Sequence, residues 1–288
     1  MLRPRRSVLY MPGSNQRALD KARTLPADGV ILDLEDSVAP DAKTLAREQI
    51  VAAVSAGGYG QREVVIRVNG LGTPWGKDDV RAVAGAGADA ILFPKIESVL
   101  QMQEALEALD SADAPAGLGF WIMVETPRAI LDIDAVTGAD SRLGCIVMGT
   151  SDLAKDMRVR HTPDRVGFIA ALSLCVTAAR AHGVDIIDGV HLDLQDEAGH
   201  RSACEQGRDM GFDGKSLIHP KQIADANEVF APSAAEVDNA HVIIEAWEAA
   251  QAEGKGVVVV NGRLVENLHV EEAKRNIALS EAIGRLSA

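Results

Sequence analysis

Short apolar runs alternate with amphipathic stretches along most of this chain. Eight such runs occur, at residues 7–11, 29–36, 63–69, 89–95, 120–125, 145–149, 184–189 and 212–218. Most of them are continuously apolar rather than alternating, which is typical of parallel strands buried on both faces. The segments between them, such as 77–87 and 99–109, carry apolar residues three and four positions apart and predict helices.

The number of repeats predicts the fold. Strand and helix alternating eight times is the pattern of a (β/α)8 TIM barrel, to which we assign residues 1–231. A doubly wound open sheet is the rival α/β fold, but it normally has fewer strands.

The last part of the chain does not continue this pattern. A helix is expected from near Ser233, a hairpin at 257–265 with Asn261–Gly262 as its type I′ turn, and a final amphipathic helix at 270–286. These elements cannot bury their apolar faces alone. We therefore predict that residues 232–288 form an extension that packs on the barrel, on a neighbouring subunit, or on both.

Composition and charge narrow the function. Hydrophobic residues make up 47% of the 288 residues and charged residues 25%, as in a soluble globular protein. The formal net charge of −13 argues against nucleic acid as a partner, because binding a nucleic-acid backbone requires an extended basic surface, whereas a small anionic ligand needs only local positive charge. The most apolar helical segment, 166–179, is too short to cross a bilayer, so no membrane partner is expected.

Cysteine usage and the N-terminus indicate a cytoplasmic protein. Pro12 and Gly13 interrupt any apolar segment after the first arginines, which argues against a signal peptide. The cysteines show no CxxC spacing and are expected to be buried free thiols in a reducing compartment: Cys145, Cys175 and Cys204.

Charged and polar residues follow the predicted strands, where TIM-barrel active sites lie. Reading only those positions gives Asp33, Glu35, Asp36, Arg67, Asn69, Lys95, Glu125, Thr150, Ser151, Asp152 and His219. Any one of these residues could simply be solvated or form a salt bridge. Carboxylates combined with Arg and Lys around one rim are less easily explained that way.

Glu125 and Asp152 are the candidate metal ligands. They follow the fifth and sixth strands, which are adjacent in a barrel, so both can face one space. Two carboxylates with water suit Mg2+, which keeps much of its hydration shell. The alternative is a pair of carboxylates without a metal, one of which would have a raised pKa.

Two cations at the strand ends each allow two interpretations. Arg67 offers a permanently charged fork for a carboxylate or a developing oxyanion, or it forms a salt bridge, for example to Glu35. Lys95 in "FPK" could form a Schiff base, but a salt bridge explains it equally well.

The segment 12–22 is a turn followed by a helix start, where Arg17 and Lys21 share one face. Free N–H groups and this basic face would suit phosphates, although a capped helix with a basic face is common. His219 ends the eighth strand, and a lone histidine of this kind is more often structural than catalytic.

At these positions the sequence resembles the citrate lyase β-subunit and malyl-CoA lyase family of the HpcH/HpaI aldolase superfamily. The segments that carry the resemblance run nearly end to end, in family order: "RSVLYMPGS", "DLEDSVAPDAK", "IRVNGLGTPWG", "FPKIES", "VETPRAI", "VMGTSDLAKD", "DGVHLDLQDEAG", "GKSLIHPKQI" and "NEVFAPS". The segments "VENLH" and "EQGRDMGFDGKSLIHP" resemble the branch that contains malyl-CoA thioesterases.

The resemblance implies a TIM barrel that assembles as a homotrimer or homohexamer, with C-terminal segments reaching over neighbouring active sites. It implies that Glu125 and Asp152 bind Mg2+, or Mn2+ in its place, and that Arg67 contacts the acyl group and stabilises an enolate oxygen. The CoA ester would be held by Tyr10, Lys21 and the backbone near Thr150, Ser151, Ile218 and His219.

Two positions depart from the family pattern. Asn15 stands where malyl-CoA lyases carry Arg, so the CoA phosphates would be bound by Arg17 instead. Glu266 stands where they carry an Asp that a neighbouring subunit donates for proton transfer. Because Glu is one methylene longer, its carboxylate must be placed differently for the same reaction.

We therefore predict a Mg2+-dependent lyase that cleaves a 3-hydroxyacyl-CoA, such as malyl-CoA or citramalyl-CoA, to an acyl-CoA and a 2-oxoacid. Glu266, or alternatively Asp36, would transfer the proton. The alternative is a thioesterase that releases malate and CoA from the same pocket. A third hypothesis is a non-catalytic subunit that binds CoA esters.

Overall fold

A computed structural model of the chain describes residues 2–287, and for Ser287 the backbone alone. Residues 5–227 form one compact unit, and the C-terminal segment from Glu228, together with the residues preceding Arg5, forms a second. The assignment of residues 1–231 and 232–288 to two domains stays a prediction.

The first unit is a closed barrel of eight parallel strands, which confirms the predicted TIM-barrel fold. The strands are β1 (Ser7–Pro12), β2 (Gly29–Asp33), β3 (Glu63–Arg67), β4 (Ala90–Phe93), β5 (Gly119–Val124), β6 (Leu143–Met148), β7 (Asp185–Asp188) and β8 (Gly214–Leu217). Each strand pairs with the next, and β1 closes the barrel by pairing with β8.

Helices follow the strands along the chain. They are α1 (Gln16–Ala22), α2 (Lys43–Ala56), α3 (Gly76–Val83), α4 (Val99–Ser111), α5 (Pro127–Leu131), α6 (Ile133–Thr137), α7 (Thr150–Met157), α8 (Ile169–His182), α9 (Glu197–Met210) and α10 (Ile223–Val229). The segment predicted as a buried helix corresponds to α8, which buries six of its residues. No helix among residues 2–287 is both long enough and apolar enough to cross a membrane.

Apolar side chains fill the barrel interior, and an ion-paired arginine lies at its N-terminal end. Trp121, 1% exposed, is the largest side chain of this core. The Arg5 guanidinium lies 4.9 Å from the Trp121 ring centroid and donates to Glu63 at 2.7 and 2.8 Å and to Asp185.

The second unit contains the predicted helix, hairpin and helix. They are α11 (Ala234–Ala252), β9 (Val258–Val260), β10 (Arg263–Val265) and α12 (Asn267–Ser287). Ser233 caps α11 through a capping box, and Asn261 and Gly262 adopt the predicted positive φ angles of 49° and 76°. Val260, Val265 and Val270 form its small core. Packing of this unit on a neighbouring subunit stays a prediction.

Candidate active site

Glu125 lies directly after β5, at the carboxyl end of the barrel. Its side chain is 2% exposed, and Oε1 accepts a hydrogen bond from the Lys95 backbone N–H at 2.9 Å. Burial, followed by the nearby charge of Glu35, raises the pKa of Glu125 to about 7. The carboxylate at the end of β5 is therefore a buried group whose ionised form is disfavoured, and not a solvated strand end.

Asp152 lies in the first turn of α7, after β6, and belongs to the same cluster. Its Oδ2 is 3.1 Å from Lys95 Nζ, so Lys95 contacts both predicted metal ligands. Partial burial opposes ionisation of Asp152, but the hydrogen bond and charge of Lys95 hold its pKa below the usual range. The charge of Asp152 in turn contributes to the raised pKa of Glu125.

Arg67 ends β3 and is paired with neighbouring carboxylates. Its Nε and Nη2 donate to the two oxygens of Asp33 at 2.6 and 2.7 Å, and Nη1 lies 2.7 Å from Glu35 Oε2. Burial by itself would lower the pKa of Arg67, but its neighbours, Asp33 first among them, together raise it well above its usual range. Arg67 is therefore a fixed cation, and the salt bridge to Glu35 considered from the sequence is present.

One remaining donor of Arg67 and the hydroxyl of Tyr10 share a weak acceptor. Arg67 Nη1 donates to Met123 Sδ at 3.4 Å, and Tyr10 Oη donates to the same sulfur at 3.6 Å. The Tyr10 ring also lies beneath the Arg67 guanidinium, with 4.9 Å between Cζ and the ring centroid. Because a thioether accepts hydrogen bonds poorly, an oxygen atom of a ligand would be a better partner for both donors.

The donor set fits a magnesium ion. A divalent cation would remove the strain of the buried Glu125 carboxylate, and two carboxylates with water are the ligands that Mg2+ prefers. Within residues 2–287, no group of three or more His, Cys, Asp and Glu side chains is arranged to hold a metal ion. The arrangement therefore suits a partly hydrated ion better than a fully protein-bound one.

Gly149, between β6 and α7, leaves room for Glu125. A Cβ atom at this position would lie 2.4 Å from Glu125 Cβ and 2.6 Å from Glu125 Oε2. The φ of Gly149, −95°, lies outside the left-handed region that favours glycine. Glycine is therefore needed here to leave space for the Glu125 side chain, and not to allow the backbone conformation of the turn.

We expect Gly149→Ala to weaken Mg2+ binding, and to lower kcat/KM of any reaction that depends on this ion, each by about 10- to 100-fold. This is the range found when groups that support metal ligands are changed. Isothermal titration calorimetry and steady-state kinetics measure the two effects. Gly144→Ala, on the preceding strand β6, is the control because a Cβ there meets no atom closer than 3.9 Å. Unchanged metal affinity in Gly149→Ala would contradict the placement of Glu125 in the site.

The residues predicted to hold CoA lie at several places around the barrel unit. Arg17 and Lys21 are exposed on α1, and Asn15 caps this helix by accepting the Ala18 N–H at 3.2 Å. Thr150, 4% exposed, and the exposed Ser151 begin α7. Their contacts with CoA stay predictions.

His219 has a local structural role after β8. Its Nδ1 accepts the Lys221 N–H at 3.1 Å, and the N–H groups of Ile218 and His219 both donate to Gln222 Oε1. These bonds cap a short 3-10 turn at Pro220–Gln222. Any contact of Ile218 or His219 with a CoA ester is therefore to be sought at their side chains or carbonyl groups.

The two predicted proton-transfer residues are both accessible. Asp36 has a 63% exposed side chain, and its Oδ2 lies 3.5 Å from Arg67 Nη1. Glu266 is exposed in the second unit, where its N–H donates to His269 Nδ1 at 3.0 Å. The roles of both residues stay predictions.

Sequence reasoning placed Glu35 and Lys95 among the charged strand ends but gave neither a role beside the predicted metal ligands, because a salt bridge explained both. It did not single out Gly149. The sequence signal for a role of Gly149 was its position directly before Thr150, which was itself a predicted site residue. Asp188, at the end of β7, was also missed, and it pairs with the buried Lys215 at 2.7 Å and with Arg165.

The chain is a TIM barrel with a buried carboxylate, a second acidic side chain and a fixed arginine at the carboxyl ends of its strands. This is the architecture of barrel enzymes, whose active sites lie at that end. Residues 6–220 match the HpcH/HpaI aldolase/citrate lyase family, and the chain belongs to this family. The family resemblance inferred from the sequence motifs is thus confirmed.

Individual relatives cover the chain almost completely. It is 49% identical over 285 residues to a (3S)-malyl-CoA thioesterase of Cereibacter sphaeroides, covering 99% of this chain and 98% of the relative. It is 33% identical over 308 residues to an L-malyl-CoA/beta-methylmalyl-CoA lyase of that species, covering 98% and 96%. The crystal structure of CitE from Mycobacterium tuberculosis, in complex with magnesium, acetoacetate and coenzyme A, matches with a TM-score of 0.77 and 27% identity, covering 96% and 97%.

Proposed function

We propose that this protein is a Mg2+-dependent thioesterase that hydrolyses (3S)-malyl-CoA to malate and CoA. The observation that carries the proposal is the 49% identity, over nearly the full length of both chains, to a protein named (3S)-malyl-CoA thioesterase. The motifs alone led us to expect a lyase first and a thioesterase as the alternative. The relatives support the alternative better.

The reaction adds the oxygen of water to the thioester carbonyl carbon and breaks the carbon–sulfur bond. Sulfur leaves as a thiolate that takes up a proton, and no electrons are exchanged with another reagent. Mg2+ held by Glu125 and Asp152 would polarise and orient oxygen atoms of the substrate. Mn2+ is a second candidate ion for the same two carboxylates.

Arg67 and Tyr10 are the donors proposed for the reacting end of the substrate. Both now donate to Met123 Sδ, which an oxygen of the substrate would replace as their acceptor. Because Asp33 holds the guanidinium by two hydrogen bonds, Arg67 would not have to reorganise when negative charge develops. A cation fixed in this way supplies its stabilisation in the transition state.

Proton transfer and CoA binding are assigned to residues around this centre. We propose Glu266 of a neighbouring subunit, or else Asp36, as the group that moves protons. Arg17 and Lys21 would bind CoA phosphates, and Thr150, Ser151, Ile218 and His219 would line the path of the ester. Assembly as a homotrimer or homohexamer in the cytoplasm stays a prediction of the family resemblance.

The second candidate function is carbon–carbon bond cleavage. The chain is 33% identical to a protein named L-malyl-CoA/beta-methylmalyl-CoA lyase, and the same site residues would serve that reaction as well. In it, a base removes the hydroxyl proton of the substrate, the bond to the 2-oxoacid breaks, and Arg67 stabilises the enolate oxygen. The two reactions use one pocket and differ in which bond breaks.

A product assay separates the candidates. We expect purified protein with Mg2+ and (3S)-malyl-CoA to release free thiol in equal amount to malate, with no glyoxylate. A thiol reagent, an enzymatic assay for malate and a ketoacid reagent, applied to the same sample, measure free CoA, malate and glyoxylate. Glyoxylate with acetyl-CoA and no free thiol would instead identify a lyase.

The third hypothesis, a non-catalytic subunit that binds CoA esters, makes a different prediction for the same samples. It requires binding without turnover. If a panel of acyl-CoA esters, including malyl-CoA and citramalyl-CoA, gave neither product with Mg2+ present, the thioesterase and lyase proposals would both be wrong.

A further inference from the structure

Lys95 has an unusual backbone for a lysine. It follows β4 with a φ of 54°, in the left-handed region that L side chains rarely adopt. The strand ends at Phe93, and Pro94 lies between the two residues. A strained residue of this kind persists only where its surroundings require it, and such residues cluster at functional sites.

This backbone lets two groups of one residue serve three carboxylates. The Lys95 N–H donates to Glu125 Oε1 at 2.9 Å, while Nζ lies 3.1 Å from Glu35 Oε1 and 3.1 Å from Asp152 Oδ2. The side chain is 44% exposed, so the ammonium group reaches in from the mouth of the barrel. Without this ammonium group, three neighbouring carboxylates would face one another with one cation fewer between them.

We propose that Lys95 is the resident counter-ion of this site, a positioning residue that holds Asp152 and Glu125 in place until a divalent cation displaces its ammonium group from Asp152. The inference rests on the proposed Mg2+ site. A metal ion and an ammonium group compete for the carboxylate oxygens of Asp152, and their like charges repel. Lys95 therefore keeps the metal-free site assembled but lowers its affinity for Mg2+.

Lys95 also explains why two carboxylates, and not three, are available to the ion. Glu35 is paired with two cations. Its Oε1 lies 3.1 Å from Lys95 Nζ, and its Oε2 lies 2.7 Å from Arg67 Nη1. After displacement from Asp152, the ammonium group retains Glu35 as its partner. Glu35 is thereby kept as a counter-ion of the two cations and is not offered to the metal.

The test is the Mg2+ affinity of the metal-free full-length protein, measured by isothermal titration calorimetry at pH 8.5. We expect Lys95→Met and Lys95→Asn to bind Mg2+ about tenfold more tightly than the parent, because one positive charge next to the ion is removed. Asn tolerates the left-handed backbone, so agreement of the two variants excludes an effect of strain. Lys95→Arg keeps the charge and is expected to stay within about threefold of the parent.

Lys155→Met is the matched control. Lys155 Nζ is also paired with Asp152, at 3.5 Å, but its side chain is 68% exposed. Because exposed ion pairs are screened by solvent, we expect its removal to change the Mg2+ affinity less than about twofold. A gain as large as that of Lys95→Met would show that any nearby positive charge acts in the same way, which would overturn the specific role of Lys95.

The outcomes separate this inference from the proposed function. Unchanged or weaker Mg2+ binding in both charge-removing variants, with a parent that binds Mg2+, would overturn the role of Lys95 alone. A parent that binds no Mg2+ would overturn the proposed metal site and this inference with it. Circular dichroism and thermal unfolding of each variant establish that the compared proteins are folded.

Discussion

Glu125→Ala and Asp152→Ala are each expected to lose metal-dependent activity by at least about a thousandfold, equivalent to about 4 kcal/mol of transition-state stabilisation. Each change removes one of the two carboxylates proposed to hold Mg2+. The barrel should remain folded, because Glu125 is a strained buried acid and Asp152 lies on a half-buried helix turn. Steady-state kinetics with malyl-CoA over a range of Mg2+ concentrations measures the loss.

Asp156→Ala is the control for this experiment. Asp156 lies on the same helix, is exposed, and pairs with Lys155 at 3.5 Å rather than with Lys95. It should keep the activity of the parent. Full activity of the parent after extensive EDTA treatment, or of either site variant, would show that the reaction does not depend on an ion held by Glu125 and Asp152.

A second large effect is a dependence of stability on pH that originates at Glu125. The pKa of Glu125 rises from 4.5 to about 7 on folding, chiefly because of burial. Because this pKa is higher in the folded than in the unfolded protein, the contribution of Glu125 to the free energy of unfolding is fully present below pH 4.5. It is lost as the pH rises through 7. The metal-free protein should therefore lose about 3 kcal/mol of unfolding free energy from this one group by pH 8.5.

Glu125→Gln removes the ionisation and keeps the size of the side chain. In EDTA it should be more stable than the parent at pH 8.5, and its advantage should shrink by about 2 kcal/mol at pH 5.5. Urea unfolding at the two pH values measures the difference, and added Mg2+ should stabilise the parent but not the variant. An advantage that is the same at both pH values would contradict the raised pKa of Glu125.

Much of the fold follows from local pattern. All eight strands coincide with the predicted apolar runs and extend no more than two residues beyond them. Continuous apolar runs predict such strands because a strand buried on both faces has no polar side. The turn at Asn261–Gly262 and the cap at Ser233 also follow from residue type, since few side chains favour those conformations. The free buried cysteines were likewise expected and are present.

The position of the site also follows from the sequence, but the pairing of its charged side chains does not. Strand order alone brings the residues after β5 and β6 to one end of the barrel, where Glu125 and Asp152 lie. Which cation pairs with which carboxylate depends on distances set by tilt, stagger and backbone angles. The left-handed backbone of Lys95 is such a detail, since the residues Phe-Pro-Lys do not by themselves require it.

The sequence by itself determined the barrel, the family and the set of charged strand ends, because strand and helix periodicity and residue type are local properties. Only the tertiary structure decided that Asp33 and Glu35 hold Arg67, that Lys95 bridges Glu35 and Asp152, and that Gly149 makes room for Glu125. Those relations join residues from different strands. Their energies depend on burial and on a few ångströms of separation, which one-dimensional spacing does not contain.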